Sequence, residues 1–196
     1  SQRYYHLGVN IRVADRKLLA IGTDDKRFAI QAIDMPKGSA TMPAVCIPLD
    51  AARLMLETAT GREGDVELSV SASLIEMRAP GVRLASALVD CKLPEYGQLI
   101  PKQPPLVILR PYALAEAVER ACVVFLGEID TNKRIPFVEI SIKPSGIELR
   151  AGIRGNEQAV EAVEIEQASG EAAIRFNAHF LREALAVWPE NVAIGI

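Results

Sequence analysis

Residues 174–188 read IRFNAHFLREALAVW, a short apolar strand pattern that passes directly into a helix pattern. Asn177 is of a residue type favoured at helix N-caps, and the apolar residues after it recur every three or four positions, as on one face of a helix. That face comprises Leu181, Ala184, Leu185 and Trp188. The stretch therefore predicts a strand that runs into an N-capped amphipathic helix with one buried side.

The same order of strand and helix occurs at two earlier places. After Ile47 the expected cap is Asp50, and after Ile108 the expected first helical residue is Pro111. The first of these helices would bury Ala51, Leu54 and Met55. The second would bury Leu114, Ala117, Val118, Ala121 and Phe125. We interpret each apolar face as core and not as a ligand site.

Strands fill the intervals between these helices. The three strand-to-helix starts lie 61 and 66 residues apart. Apolar residues alternate in residues 66–70 and 138–142, which predicts half-buried antiparallel strands, and the turn residues 144–146 make the second strand part of a hairpin. The chain thus repeats a unit of one strand, one helix and about three further strands. By this period it begins and stops inside repeat units, as expected for a segment of a longer protein.

The composition is that of a folded protein with little charge bias. Hydrophobic residues make up 49% of the 196 residues, which excludes a disordered chain. The 22 basic and 25 acidic residues argue against a protein that holds nucleic acid by bulk electrostatics. The sequence shows no membrane-spanning apolar run and no secretory signal. We interpret Cys46, Cys91 and Cys122 as reduced core cysteines of a cytoplasmic protein, and not as a disulfide or metal framework.

A proline-rich stretch divides the chain. Four prolines fall between residues 94 and 105, a density that permits neither a helix nor a central strand and predicts a linker. On either side of it, short strands alternate with single helices. The sequence therefore predicts two regions of α+β class.

Residues suited to common catalytic or metal sites are few. The chain has two histidines, His6 and His179, and no cysteine pair at zinc-ligand spacing. It also lacks a glycine-rich phosphate loop. We interpret Glu161, Glu164 and Glu166 as the solvent side of a strand. We predict no metal, no cofactor and no catalytic activity, with an unrecognised α+β enzyme as an alternative.

Three segments resemble motifs of one family, the bacterial DNA polymerase III beta subunit, or beta sliding clamp. Residues 3–5 (RYY) and 20–29 (AIGTDDKRFA) are similar to its RYYLNG and AxATDGHRLA segments. Residues 88–102 are similar to its LVDGxFPDY segment and the (V/I)(L/I)PK that follows. Residues 176–185 are similar to its FN-x-x-Y/F-L-x-x-x-L element. The motifs occur in the family's order and at its separations, and the resemblance covers essentially the whole chain.

The resemblance implies a DNA clamp fold of repeated strand-helix-three-strand units, with helices on one side of antiparallel sheets. Residues 1–103 would be the second clamp domain without its N-terminal strand and helix, and residues 104–196 the third domain without its C-terminal strands. The full-length protein would be a homodimeric ring that encircles duplex DNA as a processivity factor. Its partners would be the DNA polymerase III catalytic subunit, the clamp loader and other proteins that carry clamp-binding peptides. The alternative is a clamp-fold interaction module that does not encircle DNA.

The resemblance also implies a groove for partner peptides and a loop that contacts DNA, and the helices offer further arginines as candidates for DNA contact. The groove would use Thr23, Arg27, Phe28, Pro94, Leu99, Ile135, Asn177 and Phe180. The DNA-contact candidates are Arg3, Tyr4 and Tyr5 in a loop, and Arg53, Arg120 and Arg182 on the helices. Two alternatives remain open from the residues alone. Phe28, Leu99 and Phe180 could be core residues with Arg27 a surface charge, and the two tyrosines could pack on the sheet.

The chain departs from the family's pattern at five positions. Asp25 and Lys26 stand where the family usually has glycine and histidine, and His6 stands where it has an apolar residue. Leu49 and Asp50 replace basic residues that some clamps use near DNA. We therefore expect an altered peptide preference at the rim of the groove and weaker contact of the first helix with the DNA backbone.

Overall fold

The computed structural model describes residues 4–98, 100, 102, 104–123, 136–153, 156–165, 168–187 and 194–195. The chain divides into two compact units, residues 1–98 and residues 99–196. Within the part that the structure describes, none of the helices is both long and apolar enough to cross a membrane.

The first unit consists of a four-stranded sheet, one α-helix and a three-stranded sheet. A 3₁₀ helix, Tyr4–Leu7, precedes its first strand. Its elements in chain order are β1 (Gly8–Ala14), β2 (Lys17–Thr23), β3 (Phe28–Asp34), β4 (Val45–Pro48), α1 (Leu49–Ala59), β5 (Glu67–Val70), β6 (Leu74–Ala79) and β7 (Val82–Ala87). All of the strand pairs are antiparallel.

In the part of the second unit that the structure describes, there are two α-helices, a four-stranded sheet and a two-stranded sheet. Its elements are β8 (Ile108–Leu109), α2 (Pro111–Cys122), β9 (Pro136–Lys143), β10 (Gly146–Ile153), β11 (Asn156–Val163), β12 (Ala172–Asn177), α3 (Ala178–Ala186) and β13 (Ile194–Gly195). The predicted hairpin is β9 and β10, with Gly146 paired to Lys143. Gly146 has a φ of 142°, in the region that side chains other than that of glycine rarely adopt.

The two units repeat one sheet topology. The strand order is β3-β2-β1-β4 in the first unit and β11-β10-β9-β12 in the second. In both sheets the last strand in the chain passes directly into a helix, α1 after β4 and α3 after β12. This duplication confirms the repeated unit that the spacing of the helix starts predicts.

The core of the second unit forms as the helical spacing predicts. Leu114, Ala117, Val118 and Ala121 of α2 are buried against Val138, Ile140 and Leu149 of the sheet. On α3, Leu185 is buried and Leu181 packs against the same core. Phe125 and Trp188 lie outside the described residues. Burial of this apolar surface is the main favourable contribution to the stability of the unit.

The predicted inner face of α1 is wrong at Leu54, whose side chain is 51% exposed. The helix directs Ala51, Ala52 and Met55 to the core. At about 100° per residue, Leu54 lies on the flank of the helix, about 100° from the centre of that group. The cap prediction is also wrong, because the helix begins at Leu49 with Pro48 at the N-cap position. Asp50 lies in the first turn, where its negative charge interacts favourably with the helix dipole.

The strand predicted at residues 66–70 forms as β5, and Val70 is half-buried as predicted, but Leu68 is not. Leu68 is 53% exposed, although it pairs with Met77, which is buried. The reason is the position of β5 at the edge of the sheet β5-β6-β7. Met55 of α1 packs with Ile75 and Met77 on β6, and Val70 at the end of β5 packs against this cluster, whereas Leu68 remains exposed.

Candidate partner-binding and DNA-facing residues

A tight turn between β2 and β3 holds three of the predicted groove residues. The Asp24 carboxylate accepts hydrogen bonds from the backbone N–H groups of Lys26 (2.9 Å) and Arg27 (2.8 Å). It also accepts from the Arg27 guanidinium, at 2.7 Å from Nη2 and 3.0 Å from Nε. Aspartate side chains commonly close turns in this way. Partial burial opposes ionisation of Asp24, but the bonds from Arg27 and the backbone outweigh it and lower the pKa of the carboxyl.

Two of the departures from the family's pattern contact each other at this turn. Nε2 of His6 lies 2.8 Å from Oδ1 of Asp25. Asp25 has a φ of 67°, a backbone conformation in which glycine is the usual residue. Its N–H donates to the hydroxyl of Thr23 at 3.2 Å. The turn is therefore held by side-chain contacts at a position where the family has glycine.

Phe28 packs against an aromatic residue from the far end of the first unit. Its ring centroid lies 5.9 Å from that of Tyr96, and Tyr96 is 6% exposed. The Arg12 guanidinium carbon lies 4.7 Å above the Tyr96 ring, a cation–π geometry. Phe28 itself is 39% exposed. Phe28 thus packs on Tyr96, which in turn contacts Arg12, and neither Tyr96 nor Arg12 belongs to the predicted site.

Pro94, two residues before Tyr96, is exposed. The sequence signal that could have identified Tyr96 is its place in the segment 88–96 that carries the resemblance. Arg12 gives no such signal, because an arginine in a strand is ordinarily a solvent-facing residue.

In the second unit, Asn177 caps α3 as predicted. Its Oδ1 accepts hydrogen bonds from the backbone N–H groups of His179 (2.9 Å) and Phe180 (3.4 Å). Phe180 is half-buried in the first turn of the helix. Two other predicted groove residues, Leu99 and Ile135, lie outside the described residues.

The predicted DNA-contact residues of the first unit lie before β1 and on α1. Arg3 lies outside the described residues, and Tyr4 and Tyr5 form part of the 3₁₀ helix before β1. Arg53 is exposed on α1.

The two candidate arginines of the second unit, Arg120 and Arg182, are paired with glutamates. Arg120 lies 3.1 Å from Glu161 and 4.0 Å from Glu116. Arg182 donates two hydrogen bonds to Glu119, at 2.7 and 2.8 Å. The bonds to Glu119 raise the pKa of Arg182 above its ordinary value. The charge on the helices of this unit is therefore mixed and not strongly basic.

The described residues offer no cluster for metal chemistry. Among them, no three histidine, cysteine, aspartate or glutamate side chains are grouped so that they could hold a metal ion. Glu76 on β6 forms ion pairs with Arg78 and with Arg83 on β7. One carboxylate between two guanidinium groups is typical of a structural ion-pair network.

Comparison with known proteins gives the class of this fold. It is that of the DNA clamps, because the sliding clamp of Bacillus subtilis superposes with a TM-score of 0.83, covering 96% of this chain and 49% of that one at 23% identity. Residues 1–95 match the family described as DNA polymerase III beta subunit, central domain. The prediction that the chain is similar to beta sliding clamps is confirmed.

Individual relatives extend the similarity over most of the chain. The beta sliding clamp of Caulobacter vibrioides is 27% identical over 187 residues, which is 91% of this chain and 48% of the relative. The structure of Caulobacter crescentus pol III beta has a TM-score of 0.80 and 27% identity, covering 95% of this chain and 50% of that one. The chain spans about half the length of the curated relatives that it matches. These relatives give no support to the hypothesis of an enzyme.

Proposed function

We propose that this chain is part of a sliding clamp, a non-catalytic processivity factor that encircles duplex DNA and tethers the replicative polymerase to it. The observation that carries the proposal is the family match of residues 1–95 together with the duplicated sheet and helix of the two units. We place residues 1–103 in the second clamp domain and residues 104–196 in the third. The division into units at residues 98 and 99 supports this assignment. We place the full-length homodimer in the cytoplasm.

The charge distribution is compatible with encirclement. The net charge is −3, and Arg120 and Arg182 are paired with glutamates. A protein that grips the DNA backbone would lose affinity steeply with added salt, because binding releases counterions. A closed ring holds DNA by topology and needs no such grip. The DNA contacts proposed for Arg3, Tyr4, Tyr5, Arg53, Arg120 and Arg182 would thus guide the duplex and contribute little affinity.

We infer that partner proteins bind through short peptides at the predicted groove residues. The partners would be the polymerase catalytic subunit, the clamp loader and other proteins that carry such peptides. In the first unit, exposed Phe28 and Pro94 offer apolar contacts, and Arg27 is fixed by Asp24. Apolar contacts with a few oriented polar groups are typical of peptide sites. The remaining members are Thr23, Leu99, Ile135, Asn177 and Phe180.

Calorimetric titration of a clamp-binding peptide from a polymerase tests this site. Phe28→Ala should weaken binding at least about fivefold, which corresponds to about 1 kcal/mol. Leu56→Ala is the control, because Leu56 is 68% exposed on α1 and belongs to no proposed site. An equal loss in both variants, or no loss in Phe28→Ala, would discredit the groove.

The alternative function, an interaction module that does not encircle DNA, predicts the same peptide binding. The two functions differ in whether the protein is retained on closed circular DNA. That difference makes retention on DNA the deciding measurement.

A further inference from the structure

Two cysteines that are far apart in sequence meet in the first unit. Cys46, on β4, is 1% exposed. The backbone N–H of Val89 donates to the carbonyl of Cys46 at 2.9 Å, which brings the segment after β7 alongside β4. Cys91 follows Val89 by two residues and is half-buried. Cys46 and Cys91 are neighbours in the fold, because both line the same cavity.

The surroundings leave one sulfur accessible and enclose the other. A cavity of about 380 Å³ is lined by both cysteines and by neighbours that include Ala44, Ser73 and Asp90. The backbone of β1 approaches Cys46 closely, since a Cβ on Gly8 would lie 2.9 Å from Sγ of Cys46. An oxidant from solvent therefore meets Cys91 before it meets Cys46.

The pKa of the Cys46 thiol is consistent with Cys91 reacting first. Burial, with the neighbouring Cys91 thiol, raises the pKa of the Cys46 thiol to about 12. At neutral pH Cys46 is thus a protonated thiol, and the thiolate is the form that reacts with oxidants.

We propose that Cys46 and Cys91 form a reversible intramolecular disulfide on exposure to an oxidant of the peroxide class. The Cys91 sulfur attacks one oxygen of hydrogen peroxide, which breaks the O–O bond and gives a Cys91 sulfenic acid and water. The Cys46 sulfur then attacks the sulfenic sulfur, the S–S bond forms, and the hydroxyl leaves as a second water with the Cys46 proton. Each sulfur has lost one electron overall, and one peroxide has been reduced to two waters.

The disulfide would join β4 covalently to the segment that leads to Pro94 and Tyr96. A thiol reductant reverses it by two exchange steps that oxidise the reductant. Transient disulfides of this kind are the ones found in reducing compartments. Because the bond closes a loop of about 45 residues in the unfolded chain, it should raise the unfolding temperature by at least about 4 °C.

The test treats the 196-residue protein with hydrogen peroxide and measures intact mass, a non-reducing peptide map and the unfolding temperature. We expect a loss of about 2 Da, a peptide that links Cys46 to Cys91, and a higher unfolding temperature that dithiothreitol reverses. Cys91→Ser should abolish the cross-link and the stabilisation. Cys122→Ala is the matched control, because Cys122 is buried on α2 in the second unit, and it should retain both.

Three outcomes would overturn the proposal. They are further oxidation of Cys91 without a cross-link, a disulfide between two molecules through Cys91, and a cross-link that persists in Cys91→Ser. Circular dichroism of each variant before oxidation verifies that it is folded, and Cys46→Ala provides a second cysteine variant if Cys91→Ser does not fold.

Discussion

Nε and Nη2 of Arg182 donate hydrogen bonds to the two carboxylate oxygens of Glu119, at 2.7 and 2.8 Å, and so connect α3 to α2. The pair lies 63 residues apart in sequence, and its fork geometry is the strongest form of a surface ion pair. The ion pair thus orients the Arg182 guanidinium toward Glu119 of the same chain. The positive charge of Arg182 is therefore compensated within the protein.

Breaking this pair should cost a measurable part of the stability. We expect Glu119→Gln to lower the free energy of unfolding in urea by about 0.5–1 kcal/mol, because the partly exposed pair is screened by solvent. Combining it with Arg182→Gln should give a loss smaller than the sum of the two single losses. Glu57→Gln on α1 is the control and should change stability by less than about 0.5 kcal/mol. Strict additivity would contradict the role given to the pair.

The N-cap of α3 should contribute to stability through its side chain. Asn177→Ala removes the acceptor for the N–H groups of His179 and Phe180, and we expect it to lower the free energy of unfolding by about 1 kcal/mol. Asn177→Asp retains an acceptor and should recover most of that loss. Chemical denaturation of both variants measures the difference. If Asn177→Asp is as unstable as Asn177→Ala, the stabilisation does not come from the cap.

Protonation of Glu76 should lower the stability of the protein as the pH falls. A hydrogen bond from Arg83, at 2.6 Å, and a second from Arg78 lower the pKa of this carboxyl below its ordinary value of 4.5. A carboxyl with a lowered pKa in the folded state stabilises the fold above the unfolded value, and this stabilisation is lost as the pH falls through the lowered pKa.

Glu76→Gln should therefore lose less stability than the unmodified protein between about pH 5 and pH 3, around the ordinary carboxyl pKa. Thermal unfolding at several pH values measures this dependence. Glu63→Gln is the control, because Glu63 is an exposed carboxylate in the loop between α1 and β5. Equal acid dependence in Glu76→Gln and the unmodified protein would contradict the prediction.

Short-range patterns in the sequence were sufficient to predict most of the fold. The spacing of Leu114, Ala117, Val118 and Ala121 predicts the buried face of α2, and Asn177 predicts the start of α3, because both depend on residues within a few positions of each other. Leu54 shows where the pattern fails. Its exposure depends on how α1 is rotated over the sheet, which is decided by packing and not by spacing.

Less of the candidate site could be predicted from the sequence. The turn of Thr23 to Phe28 is recognisable from its motif, but the contact between His6 and Asp25 joins positions that the sequence separates. Tyr96 reaches Phe28 and Arg12 only because the chain returns to the first sheet after β7. Contacts of this kind arise from tertiary structure, and no periodicity encodes them.

Retention on circular DNA tests the central claim most directly. The full-length protein that contains this chain would be labelled, loaded by its clamp loader onto closed circular duplex DNA, and separated from free protein by gel filtration at low and high salt. We predict that it remains with the circle at both salt concentrations and is released when a restriction enzyme linearises the DNA, because a ring slides off a free end. Equal loss from circular and linear DNA, or release from the circle by salt alone, would contradict encirclement.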